Sequence, residues 1–98
     1  MSWASHAIER LQKGEEAVIT PRGNSMKGLV KSGARVTLAP IAAALSKKDI
    51  VLVRVKGRVY LHLIQAIDQD RFLIGNNIGG INGWVGRSAI YGIVKSIE

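Results

Sequence analysis

The chain has 98 residues, of which 47% are hydrophobic, enough to fill the core of one ordinary domain and too few for a second. It has no cysteine, which excludes disulfides, thiolate metal sites and cysteine nucleophiles, and its longest aliphatic run, Ile41 to Leu45, is far short of a bilayer span. Lys and Arg number 14 against 7 Asp and Glu, a net charge of +7 that favours acidic partners such as nucleic acid, anionic membrane or acidic protein.

In chain order, Trp3 to Lys13 reads as an amphipathic helix, with Trp3, Ala4, Ala7, Ile8 and Leu11 at the spacing that lines one face. Ser2 is positioned to cap it and Gly14 to end it. Residues 1–14 are thus expected as an N-terminal helix and residues 15–98 as a β domain. Glu16 to Thr20 reads as a short strand closed by Pro21, followed by a turn at Pro21-Arg22-Gly23-Asn24. Met26, Leu29 and Val30 are spaced for a short helix opening at Ser25 and stopped by Gly33, and Arg35 to Leu38 alternates as a half-buried strand does. Ile41 to Leu45 fits either a helical turn or an irregular crossing.

The clearest local signal is a hairpin. Asp49 to Val55 and Arg58 to Ile67 are rich in Val, Ile, Leu and Tyr and are separated by Lys56-Gly57. Alternation on the second strand puts Val59, Leu61 and Leu63 on one face and Tyr60, His62 and Ile64 on the other. A further hairpin turns at Asp68-Gln69-Asp70 and returns through Ile74. Gly75 to Gly83, with four glycines and three asparagines, reads as a loop of special backbone angles, and Tyr91 to Ile97 as the closing strand. One helix and six or seven strands make a mainly β protein.

Chemistry has few candidate carriers. The histidines are His6 and His62 alone and there is no cysteine, so a metal site is not expected; no cofactor is expected either. Ser25 opens the segment after Gly23-Asn24, where a serine either caps a helix or meets backbone N–H groups able to hold an oxyanion. His62 lies mid-strand between two leucines, either on a solvated face or as a general base that titrates near neutrality.

The order and company of these residues resemble a known family. Gly23-Asn24-Ser25-Met26 resembles its Gly-x-Ser-Met turn, and Gly33-Ala34 stands where a Gly-Asp pair follows. Lys48-Asp49-Ile50-Val51 resembles its Gly-Asp-Ile-Val strand, Val59 to Ile64 the strand carrying the base, Gly75-Asn76-Asn77 its Gly-Asp-Asn turn, and Ile90-Tyr91-Gly92-Ile93-Val94 its closing strand. These pieces run in order from about Val18 to Val94. They are similar to the serine peptidase domain shared by LexA-type repressors, including phage repressors, and signal peptidases, in the branch that uses histidine as base. The resemblance implies a coiled β-sheet domain with a short helix after the nucleophile, Ser25 as nucleophile and His62 as base. Gly23, Asn24, Met26, Asn76, Asn77 and Asn82 would then supply the oxyanion hole and its support. Gly28 replaces a frequent proline, and Asn76 and Asn82 stand where the family carries acids. An asparagine can orient a histidine but cannot stabilise an imidazolium by charge.

The implied partner is an extended peptide or protein held along a sheet edge, with a homodimer through the C-terminal strand as a further expectation. Two other readings follow from the same residues: a relative that binds peptide without cleaving it, and a small basic β protein that binds nucleic acid. The last is the lesser one, because the basic residues are scattered and only five residues are aromatic. Residues 1–6 show no basic patch ahead of an apolar stretch, so the expected compartment is the cytoplasm, without membrane insertion.

Overall fold

A computed structural model describes residues 3–98; the expected cap, Ser2, lies outside them. The chain is mainly β. Helix α1 (Ser5–Gln12) precedes β1 (Ala17–Ile19), β2 (Val36–Ala39), β3 (Ile50–Val55), β4 (Arg58–Asp68), β5 (Arg71–Gly75), β6 (Ile81–Gly86) and β7 (Ile90–Ile97). All seven strands form one sheet in the order β1-β2-β7-β3-β4-β5-β6, antiparallel at every step. β7 is an interior strand with β2 and β3 as neighbours, so the free edges of the sheet are β1 and β6. Among the described residues no helix is long and apolar enough to cross a membrane.

Each face of the sheet has its own core. Leu38, Leu52, Leu61 and Leu63 pack with Ala7 and Leu11 of α1 and with Met26 and Val30 on one face. Val51, Val53, Ile64, Phe72 and Ile74 fill the other. The division follows from strand alternation, with Leu52 on one side and Val51 and Val53 on the other. Full burial of side chains such as Leu38, Leu52 and Ile64 contributes about 1.5–3 kcal/mol each. α1 presses closely on β7: a Cβ placed on Gly92 would stand 2.9 Å from the Leu11 methyls.

The structure corrects two local expectations and, at Ile41 to Leu45, decides between two that were open. No helix forms after Ser25. The segment makes tight turns instead, with Lys27 N–H donating to Asn24 O and both Leu29 and Val30 N–H to Met26 O. Gly28, at φ +94°, takes a left-handed conformation that stops helical propagation there. Met26 and Val30 still reach the core, at 4% and 5% exposure, while Leu29 stays outside. Ile41 to Leu45 is irregular. Finally, the Gly/Asn-rich loop is shorter than its composition suggests, because β6 begins at Ile81. Hydrogen bonds from β5 and burial of Val85 outweigh the poor strand propensity of Asn82-Gly83.

Four register slips punctuate the sheet, each leaving one extra residue in a strand. Those residues are Lys95 opposite β2, Tyr91 opposite β3, Gln65 opposite β5 and Asn82 opposite β5. Every one of them is polar and takes up a side-chain hydrogen bond: Lys95 to Glu16, Tyr91 from Arg54, Gln65 to the Asn76 carbonyl and Asn82 with His62. A bulge re-aims the side chain it frees and increases local twist.

Candidate functional site

His62 sits on β4 opposite Val51 of β3 and is 5% exposed, the one buried polar side chain among the described residues. Both of its ring nitrogens have partners. Nε2 lies 3.2 Å from Ser25 Oγ, and Nδ1 lies 2.7 Å from Asn82 Oδ1. An amide oxygen only accepts, so Nδ1 carries the proton and donates to Asn82. Burial holds the His62 pKa below its ordinary 6.5, against a smaller upward pull from the Asn82 hydrogen bond. The ring is therefore neutral at pH 7, and its second nitrogen presents a lone pair to the Ser25 hydroxyl, which donates to it. Tyr60, two residues back on the same face, stacks on the ring at 4.8 Å between centroids. Ser25, His62 and Asn82 thus form one chain of hydrogen bonds drawn from a turn, an interior strand and an edge-strand bulge.

The Ser25 turn is held at both ends. Gly33 N–H donates to Pro21 O, and Gly23 N–H to Ser32 Oγ at 3.0 Å, closing the segment into a loop. Met26 anchors it in the core. From the opposite side Asn77 clasps it, its backbone N–H donating to Ser25 O at 2.9 Å and its Nδ2 to Lys27 O at 2.7 Å.

The expected support residues therefore divide. Asn82 meets His62, Asn77 positions the Ser25 turn, and Met26 anchors it. Gly23 lines the cleft, but its N–H is already taken by Ser32. Asn24 acts only through its carbonyl, which accepts from Lys27 N–H. Asn76 does not face the pair; its Oδ1 accepts from Ile78 and Gly80 N–H and shapes the loop that carries Asn77. The Ser25 N–H has no hydrogen-bond partner among the described residues. Ser32 was not among the expected site residues, and nothing in the sequence pattern marks it. Tyr60 was marked only by sharing a strand face with His62.

Tight contact around Gly75 fixes the same loop. A Cβ there would stand 2.6 Å from the Gly80 carbonyl oxygen and 2.9 Å from Gln65 Cγ, and backbone cannot step aside. Gly75→Ala is expected to destabilise the fold by about 2 kcal/mol, read as a lower urea midpoint at unchanged slope. An unchanged midpoint would mean that the loop yields freely.

Ser25 and His62 open onto a cleft of about 510 Å³, walled by Thr20 to Gly23, Met26, Val30, Lys31, Trp3 and residues Val59 to His62 of β4, with Asn24 outside it. The sheet leaves one hydrogen-bonding edge free along it, on β4, and another that ends beside it, on β1, which runs into Thr20. β1 pairs with β2 alone, and β4 gains its second neighbour only from Leu63 onward. Among the described residues no three His, Asp or Glu side chains gather as metal ligands would. Compared with protein-family profiles, with curated proteins and with solved structures, the chain finds no match.

Proposed function

We propose that this chain is a serine peptidase of the LexA and signal-peptidase kind, in its histidine-base form, with Ser25 as nucleophile and His62 as general base. The observation that carries the reading is the hydrogen-bonded chain from Asn82 Oδ1 through His62 to Ser25 Oγ. In the first step Ser25 Oγ attacks a peptide carbonyl carbon while His62 Nε2 takes the hydroxyl proton. The carbonyl oxygen becomes an oxyanion that accepts from the Ser25 N–H. As the C–N bond breaks, His62 returns its proton to the leaving amine. Water, deprotonated by His62 in turn, hydrolyses the acyl ester and restores the hydroxyl. An extended substrate pairs with the free edges of β1 and β4, so main-chain bonds hold it with little demand on sequence.

A second reading, a binding module of the same fold, is favoured by one observation. The group that orients His62 is an amide, and among the described residues no carboxylate contacts the ring to stabilise an imidazolium. A fluorophosphonate probe separates the two readings, because it reacts only with an activated serine. The expected result is one label per chain, on Ser25. The labelling rate should rise with pH through a midpoint below 6.5, since the depressed pKa keeps His62 neutral to lower pH. Absence of labelling in folded protein between about pH 5 and 9 would falsify the peptidase reading and leave the binding module.

A further inference from the structure

The charge of the molecule is not evenly spread between its acids and bases. Four of the seven acidic residues are matched with cations on the surface: Glu9 with Lys13, Glu15 with Arg10, Glu16 with Lys95 and Glu98 with Arg35. None of the seven lines the cleft that holds Ser25 and His62, whereas Arg22 and Lys31 do. Beyond Tyr60 the cleft continues into a second groove of about 350 Å³ along β4, lined by Trp3, Arg54, Gly57, Arg58, Val59 and Tyr60, again without an acid. Arg54 is committed, donating to Tyr91 Oη and to Gly57 O. Arg22, Lys31 and Arg58 form no ion pair among the described residues.

We propose that this cleft and groove together receive an acidic peptide, with Asp or Glu side chains of the extended ligand meeting Arg22, Lys31 and Arg58. The inference rests on the reading of the cleft as a peptide site and names its substrate class. Arg58 lies four residues before His62 on β4, about 13 Å along an extended chain, so the acids fall within about four residues of the scissile bond. Apolar lining from Met26, Val30, Val59 and Leu61, together with the two free strand edges, suits a peptide backbone and its smaller side chains. A nucleic-acid strand would find one free ring in the cleft, Trp3, because Tyr60 is already stacked on His62. Unpaired cations in a concave surface also focus the field and raise the rate of encounter with anions.

The test measures binding of two fluorescent decapeptides to the Ser25→Ala protein, one carrying Glu and Asp on both sides of its centre and one with Gln and Asn instead. At low salt the acidic peptide should bind about tenfold more tightly, with the advantage shrinking as salt rises. The advantage should disappear in a variant combining Arg22→Gln, Lys31→Gln and Arg58→Gln. Equal binding of the two peptides, or an advantage that survives in that variant, overturns the inference. So does tighter binding of a single-stranded oligonucleotide of equal charge. Wild-type cleavage of both peptides is followed in parallel. Preferential binding without any cleavage supports the acidic ligand while removing the peptidase reading; cleavage of both at equal efficiency removes the acidic preference alone.

Discussion

Ser25→Ala is expected to lower peptide cleavage about 10⁴-fold or more, His62→Ala to do the same, and the double variant to be no worse than either. The reason is that the two side chains act in one event. Without the Nε2 lone pair the Ser25 hydroxyl keeps its proton, and without Oγ the base has nothing to activate. What remains in each variant is cleft binding and the Ser25 N–H, which hold substrate but do not attack it. His62 is buried, so His62→Gln serves as a packing control: it fills most of the ring's volume and offers no base at neutral pH. Melting temperatures would show that each variant folds, and single-turnover rates with a quenched fluorescent peptide would give the loss. If the losses multiply in the double variant, the residues act independently and the relay is wrong.

The part of this site that was legible in the sequence is the part written in local pattern. A histidine between two leucines on a strongly apolar strand, and a serine after Gly-Asn ahead of buried Met26, both stand out against their surroundings. Strand alternation was enough to put Tyr60 and His62 on one face, as the ring stacking requires. The hairpin at Lys56-Gly57 was equally plain, and both turn residues take positive φ, 50° and 85°.

What pattern could not show depends on partners distant in sequence. Strand β6 contains Asn82-Gly83, which reads as loop until β5 is present to pair with it. The expected helix after Ser25 had the right apolar spacing, yet backbone ties to Pro21, Ser32 and Asn77 hold that segment as turns. The two asparagines of Gly75-Asn76-Asn77 looked alike and do different work. Asn77 reaches 50 residues back to Lys27, whereas Asn76 bonds within its own loop. Asn82 was picked out by its place in a motif. Its actual means of reaching His62, the register slip that turns its side chain inward, is a property of the β5–β6 pairing and not of the local sequence.

Asn82→Asp is expected to change both the rate and its pH dependence, in opposite senses at the two ends of the range. A carboxylate in place of the amide, 2.7 Å from Nδ1, still accepts the Nδ1 proton and so preserves the orientation of the ring. It adds a negative charge beside a buried histidine that burial now keeps neutral, and an opposite charge at that distance raises a pKa by about 1–3 units. The acid limb of the cleavage profile should therefore move upward from its place below pH 6.5. Above both midpoints the two proteins alike hold His62 as the free base. A base stronger by about two pKa units, with the proton half transferred in the transition state, then makes the variant about tenfold faster. Toward the acid end the order reverses, because the variant's His62 is protonated at pH values where the wild type's remains free. A crossing of the two profiles is the signature, and neither a purely structural role for Asn82 nor a general loss of stability produces it. Asn82→Leu gives the complementary result: with no acceptor the ring loses its tautomer and orientation, and cleavage falls at every pH. Parallel profiles for wild type and Asn82→Asp would mean that Asn82 does not face His62 during the reaction. The amide at this bulge would then serve the fold alone.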